Sequence, residues 1–188
     1  MEILIISEAL FKENSPVGTN VSLEEWTPYI LIVQKMYMRK ILGDALLTEL
    51  QTQIKQASVV PTPDPNPITP DNRALLIEIA PALAFYSVYQ GLPFQWAKIQ
   101  NKGITALESE NSKTLEYTDV AKLQRKTLED AESFAHDLIK YLCGNADKYP
   151  LWGPSPGYGC ADRGINCGEA TYGKPYDSGI YIPKRRKP

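Results

Sequence analysis

Histidine is nearly absent from this chain: His136 is the only one in 188 residues. That scarcity excludes a paired-histidine zinc protease and a three-histidine metal centre. It also leaves a serine–histidine–aspartate triad with one candidate base and no nucleophile motif around any serine. His136 lies between Ala135 and Asp137 in a helical stretch and reads as a surface or half-buried side chain. Cysteine is scarce as well. Three, an odd number, make no disulfide framework and fit a reducing compartment, so Cys143, Cys160 and Cys167 are expected as free thiols. A zinc site would need four ligands at recognisable spacing, which these cysteines and His136 could complete only by coincidence of folding.

A large excess of either charge is also absent. The formal net charge of −2 gives no general attraction to nucleic acid or membrane. No apolar run approaches the ~20 residues of a membrane helix. Met1-Glu2-Ile3-Leu4-Ile5-Ile6 lacks a basic n-region and is too short in its apolar part for a signal peptide, so a soluble protein made in a cytoplasm is expected. The glycine-rich Gly153–Gly159 is not followed by Gly-Lys-Ser/Thr and follows no strand, so it is no phosphate loop. Neither enzymatic activity nor a cofactor is expected.

What the chain does have is helical periodicity. Hydrophobic residues make up 43%, enough for one core. Ile3–Ile6 reads as a short strand or buried arm, and Ser7–Phe11 as a brief helical turn. Ser22 and Glu25 form a capping box. Pro28 then implies either a kink or a fresh start capped by Thr27. Trp26, Ile30, Val33 and Tyr37 form one apolar face. Gly43 stops that helix and Asp44 caps the next, which buries Leu46, Leu47, Leu50 and Ile54.

Five prolines between Val59 and Pro70 mark a loop, residues 58–70. Thr69 and Pro70 then open a helix with Leu75, Leu76, Ile79, Leu83 and Tyr86 on one side. Pro81 bends it, and Gly91-Leu92-Pro93 ends it. Ile104–Leu107 and Lys113–Tyr117 suggest a β-hairpin. Thr118 caps the last helix, whose face is Val120, Leu123, Thr127, Ala131, Phe134, Leu138 and Leu142, with Gly144 as its stop. Glu129, Asp130, Glu132 and Asp137 are its solvated side. The fold class is mainly α: a helical bundle with a small β-hairpin, a proline-rich loop and an extended C-terminal arm.

Composition changes after Trp152. Residues 153–188 hold seven glycines and five prolines, too few aliphatic side chains to order themselves as a domain. Residues 1–152 carry 14 Lys/Arg against 19 Asp/Glu, a net of −5, and residues 153–188 carry 6 against 3, a net of +3. Two units follow: a helical domain, 1–152, and an arm, 153–188. The arm is expected to add nothing to the stability of the body. Its candidate partner-binding residues are Tyr158, Tyr172, Tyr176 and Tyr181 and the basic cluster Lys184, Arg185, Arg186 and Lys187. Tyrosine offers large contact area at low entropy cost.

Tyr29-Ile30-Leu31-Ile32-Val33-Gln34-Lys35-Met36-Tyr37 leads into Ile41-Leu42-Gly43-Asp44-Ala45-Leu46 and Thr48-Glu49-Leu50. This run resembles the first two helices of the head-to-tail connector (head-completion adaptor, or ring) proteins of tailed bacteriophages, most closely the versions in crAss-like phages. Ile5–Leu10, Asn101-Lys102-Gly103-Ile104 and the ending Tyr149-Pro150-Leu151-Trp152 are similar too, so the likeness spans about residues 1–152. The proline-rich loop and the 36-residue arm depart from the short members of that family.

The resemblance implies a structural virion protein at the head–tail junction, made in the host cytoplasm. It implies a homo-oligomeric ring of about twelve subunits closed by rotation. Such a ring sits below the portal protein, extends the DNA channel without reading sequence, and docks the next tail or neck component. No membrane is involved. The alternative is a non-viral helical scaffold or regulatory binding module with a peptide-like tail.

Overall fold

Thr69 and Pro70 start the helix around which the others are arranged. The Thr69 hydroxyl accepts from the Asn72 N–H at 3.3 Å, and Pro70 sits in the first turn, where its missing N–H costs nothing. The helix, α5, runs Pro70–Trp96. The computed structural model of the chain describes residues 3–18, 20–59, 67–100, 103–106 and 116–164. Over these residues it is mainly helical. Before α5 come α1 (Glu8–Glu13), α2 (Thr27–Val33), a π-helical turn (Gln34–Met38), α3 (Arg39–Leu42) and α4 (Asp44–Ala57). After it come β1 (Ala97–Gln100), β2 (Gly103–Ala106) and α6 (Tyr117–Gly144).

α5 does not end at Gly91-Leu92-Pro93, as the sequence suggested. Gly91 is a notch: a Cβ there would lie 2.6 Å from Cζ3 of Trp26, a buried side chain. Pro93 removes the helical donor to the carbonyl of Tyr89, four residues back. The side-chain amide of Gln124, on α6, donates to that oxygen at 3.3 Å instead. With the orphaned acceptor satisfied, α5 continues to Trp96, where the N–H of Ala97 bonds to the carbonyl of Pro93. α5 is long and apolar enough, by length and composition, to cross a membrane, which the search for apolar runs did not anticipate. In this fold 61% of its most apolar stretch is buried inside the protein, the pattern of a central core helix.

α6 makes the most extensive contact with α5. Val120, Thr127, Ala131, Leu138 and Leu142 are buried as their spacing requires. Leu123 is not: it is 49% exposed. α6 begins at Tyr117 with Glu116 at the N-cap and no capping side chain, so Thr118 lies inside it. Glu129, Glu132 and Asp137 are solvent-facing and Asp130 is half-buried; Arg125 pairs with Glu129 and Lys126 with Asp130.

α2 and α5 pack face to face through Ile30, Val33 and the leucines and alanines of α5. The Ser22 hydroxyl caps a 3₁₀ turn, Leu23–Glu25, and α2 starts afresh at Thr27 with Pro28 in its first turn. Thr27 donates back to the Leu23 carbonyl rather than capping. At the next junction Gly43 is the N-cap of α4, and Asp44 pairs with Arg39 across the turn instead of capping.

The hairpin expected over Ile104–Leu107 and Lys113–Tyr117 is not supported. Tyr117 opens α6, and residues 103–106 pair antiparallel with 97–100, Ala97 opposite Ala106 and Gln100 opposite Gly103. Most of the proline-rich loop, residues 60–66, lies outside the described residues, as do residues 165–188 of the arm.

Candidate functional site

The end of α3 leaves carbonyls without helical partners, as every helix end does. Here they receive a segment from over a hundred residues away. After α6 the chain passes through Tyr149, and residues 152–160 then lie along the Gly43 turn as a strap. Trp152 Nε1 donates to the Ile41 carbonyl at 2.9 Å, the Gly153 N–H to Leu42 at 3.4 Å and the Ser155 N–H to Lys40 at 2.8 Å. Gly43 has φ 81° and ψ 164°, and a Cβ on it would sit 2.2 Å from the carbonyl oxygen of Gly153. The Ile-Leu-Gly turn is therefore a dock as well as a helix stop.

Tyr149 anchors the root of the strap. It is 2% exposed, its hydroxyl donates to the Asp71 carbonyl at 2.9 Å, and it lies 3.0 Å from the hydroxyl of Tyr141. Burial, and then the Tyr141 contact, hold its phenol well above the usual tyrosine range. The far end of the strap is covalent: Cys160 is disulfide-bonded to Cys143, near the end of α6, with the sulfurs 2.14 Å apart. The expectation that Cys143 and Cys160 are free thiols is thus overturned. An odd count of three excludes a fully paired framework but leaves room for one bridge and one remaining cysteine. Trp152, Tyr158 and Cys160 pack partly buried against the core, so the chain stays on the body past the compositional boundary at 152.

The N-terminal segment is held by a buried glutamine. Gln34, in the π-helical turn, is 2% exposed. Its amide oxygen accepts from the Ile5 N–H at 2.8 Å and its nitrogen donates to the Ile3 carbonyl at 3.0 Å. One side chain thereby gives the N-terminal arm the two hydrogen bonds a neighbouring strand would give, while Ile5 and Ile6 enter the core. Beside this clamp is a cleft of about 240 Å³ with Lys35, Arg39, Asp44 and Gln51 among its lining residues. The Arg39–Asp44 pair in it is exposed and worth little to stability.

Aromatic rings join these elements. Phe11, Trp26, Tyr29 and Phe94 follow one another at centroid spacings of about 6 Å. Tyr37 stacks on Tyr86 at 4.2 Å and accepts from Gln90; burial raises its pKa. Large apolar side chains are also left about half exposed or more on three helices. They are Ile32 on α2 and Met36 in the turn that extends it, Ile77 and Phe94 on α5, and Tyr117 and Leu123 on α6.

His136 is exposed on α6. Among the described residues no three His, Cys, Asp or Glu side chains gather as a metal site would require. Of the eight candidate partner-binding residues, the structure places Tyr158 alone, partly buried against its own body. Tyr172, Tyr176, Tyr181, Lys184, Arg185, Arg186 and Lys187 lie outside the described residues. Sequence reasoning missed the strap because its glycines and prolines carry no periodicity. One signal was Cys143, a cysteine near the end of the last helix, which the structure buries to 6% exposure.

These features define a class: a small mainly helical protein in which residues 3–6 and 152–160 are fastened onto one core, by a glutamine clamp and by a disulfide-closed strap. Within that class, the signature of a family of unknown function, DUF6712, matches residues 38–162, and the chain belongs to that family. The match covers α3 to α6 and ends just past Cys160, so it includes the strap. No curated protein and no solved structure matches the chain.

Proposed function

We propose that this protein is a structural subunit of a tailed-phage head–tail connector. In this reading copies pack side by side into a ring of about twelve below the portal. The ring extends the DNA channel, without sequence-specific contacts, and presents a platform for the next neck or tail component. The observation that carries the reading is the set of large apolar side chains left in solvent on α2 and its extension, α5 and α6, with Ile32 42%, Met36 47%, Ile77 56% and Phe94 49% exposed. Ile32 and Met36 lie one turn apart, and Phe94 stacks on Tyr29 of α2. Ile32, Met36 and Phe94 supply apolar area of the kind that meets other proteins, and Ile77 adds to it nearer the start of α5. A ring subunit needs two such surfaces, one for each neighbour.

The segment 165–188 supplies a further contact in this reading. Tyr172, Tyr176 and Tyr181 supply contact area, and Lys184–Lys187 charge, to an adjacent subunit or the next ring. The resemblance of residues 1–152 to connector subunits supplies the identity of the assembly, a virion particle.

The test is assembly. Electron microscopy and light scattering of the purified protein, alone and with the portal of the same phage, are expected to show rings. The double substitution Ile32→Asp with Met36→Asp is expected to abolish them while leaving the helical circular dichroism intact. A wild-type chain that stays monomeric in both settings overturns the reading and favours a regulatory binding module.

A further inference from the structure

The strap is folded locally, with the Gly157 and Gly159 N–H groups donating to the Asp162 carboxylate and the Tyr158 N–H to the Ser155 carbonyl, but its hold on the body is a separate matter. Between Gly153 and Gly159 the sequence is Gly-Pro-Ser-Pro-Gly-Tyr-Gly, in which only Tyr158 offers a large side chain to the core. Trp152, Gly153 and Ser155 donate hydrogen bonds from the strap to α3. Glycine-rich chain loses the most conformational freedom when fixed, so this is a segment that is costly to order. The bond between Cys143 and Cys160 closes a loop of 17 residues and removes much of that cost by confining the chain before it docks. The two sulfurs differ in access: Cys143 is 6% exposed, whereas Cys160 lies in the half-buried strap.

We infer that Cys143 and Cys160 form a redox latch that decides whether the strap is fastened to the Gly43 turn. In a reducing cytoplasm both are thiols and residues 153–160 exchange between docked and undocked states. The co-reactant that fastens the strap is a low-molecular-weight disulfide. The more accessible Cys160 thiolate attacks it, forming a mixed disulfide and releasing one small thiol. The Cys143 thiolate then attacks Cys160 Sγ and releases the second. The two protein thiols lose two electrons and two protons, which leave with the two small thiols. A dithiol reductant reverses the sequence. Closing the latch fixes residues 153–160 on the body. The inference stands on the disulfide and the strap hydrogen bonds, and is independent of the ring proposal.

Hydrogen exchange of the full-length protein tests it directly, because the Gly153 and Ser155 amides donate to α3 only when the strap is docked. Equilibrated with oxidised glutathione, the protein is expected to show one free thiol by alkylation and slow exchange at both amides. Equilibrated with excess dithiothreitol, it is expected to show three free thiols and at least tenfold faster exchange at both amides, with the core amides of α5 unchanged. In amide exchange, Cys143→Ser is expected to behave as the reduced protein in either buffer and Cys167→Ser as wild type, the latter with no free thiol after oxidation and two after reduction. Equal protection of Gly153 and Ser155 in the two buffers overturns the latch. So does a bridge that survives the reductant, or one that never forms with oxidised glutathione.

Discussion

Gly43 and Gly153 meet backbone against backbone: a Cβ on Gly43 would stand 2.2 Å from the Gly153 carbonyl oxygen. At φ 81° and ψ 164°, Gly43 occupies a region that only glycine enters readily. Gly43→Ala therefore imposes two penalties, one on its own backbone and one on the strap. The backbone part alone costs about 1–3 kcal/mol. Urea denaturation is expected to show a lower midpoint, and hydrogen exchange a loss of protection at Gly153 and Ser155. An unchanged midpoint would mean that the turn opens freely to admit the methyl group.

Gln124 and Pro93 are coupled through an oxygen that belongs to neither. Gln124→Met removes the donor to the Tyr89 carbonyl, at an expected cost of about 0.5–1.5 kcal/mol. In a Pro93→Ala background the restored N–H of residue 93 can take that carbonyl, and the same substitution is expected to cost less. A double-mutant cycle reads the difference. Equal costs in both backgrounds would disconnect Gln124 from the proline.

Leu138 and Leu123 lie on one helix, and the periodicity of α6 assigns both to the core. Leu138 is 1% exposed, and Leu138→Ala is expected to destabilise by about 2–5 kcal/mol. Leu123 stands in solvent, and Leu123→Ala is expected to stay within about 0.5 kcal/mol of wild type. Chemical denaturation of the two variants side by side checks the contrast.

Tyr149 makes stability fall at high pH. Its folded-state pKa is raised, by burial first and by the Tyr141 hydroxyl second, above the value it has unfolded. The protonated phenol is thus favoured by the fold. Its contribution is complete below the unfolded pKa of about 10 and is lost progressively above it, because there the unfolded chain binds fewer protons than the native one. Tyr149→Phe is expected to flatten the alkaline limb of a stability–pH curve while lowering stability at neutral pH, since the Asp71 carbonyl loses its donor. An alkaline limb as steep as in wild type would assign the effect to other tyrosines.

The strap changes what truncation does. Read from composition, the arm begins at residue 153 and its removal leaves the body untouched. With Ser155, Tyr158 and Cys160 docked, a chain ending at Trp152 is expected to melt several degrees lower than one ending at Gly164. The chain ending at Gly164 is expected to match the full length. Calorimetry under oxidising conditions distinguishes the two, and equal melting temperatures would show that the strap adds nothing.

The sequence by itself determined the helices. Ser7, Thr69 and Pro70 carry the capping chemistry of their turns, and the three-to-four spacing from Ile30 to Leu50 and from Leu75 to Leu142 puts most of the core on the correct faces. Such signals are local, set within a turn or two of backbone. Tertiary structure decided everything that depended on a distant partner. It decided that α5 continues past Gly91 and Pro93, because Gln124 takes the carbonyl that the proline leaves without a helical donor. It decided that Leu123 is about half exposed, because among the described residues no element covers it fully. It paired residues 103–106 with 97–100, and it gave Gln34 to the N-terminal arm. It also brought Cys160 to Cys143 and the strap to Gly43, across a stretch without periodicity. A glycine- and proline-rich segment has no preferred local state to read. Its position is fixed by the carbonyls, the buried rings and the sulfur that it finds elsewhere in the fold.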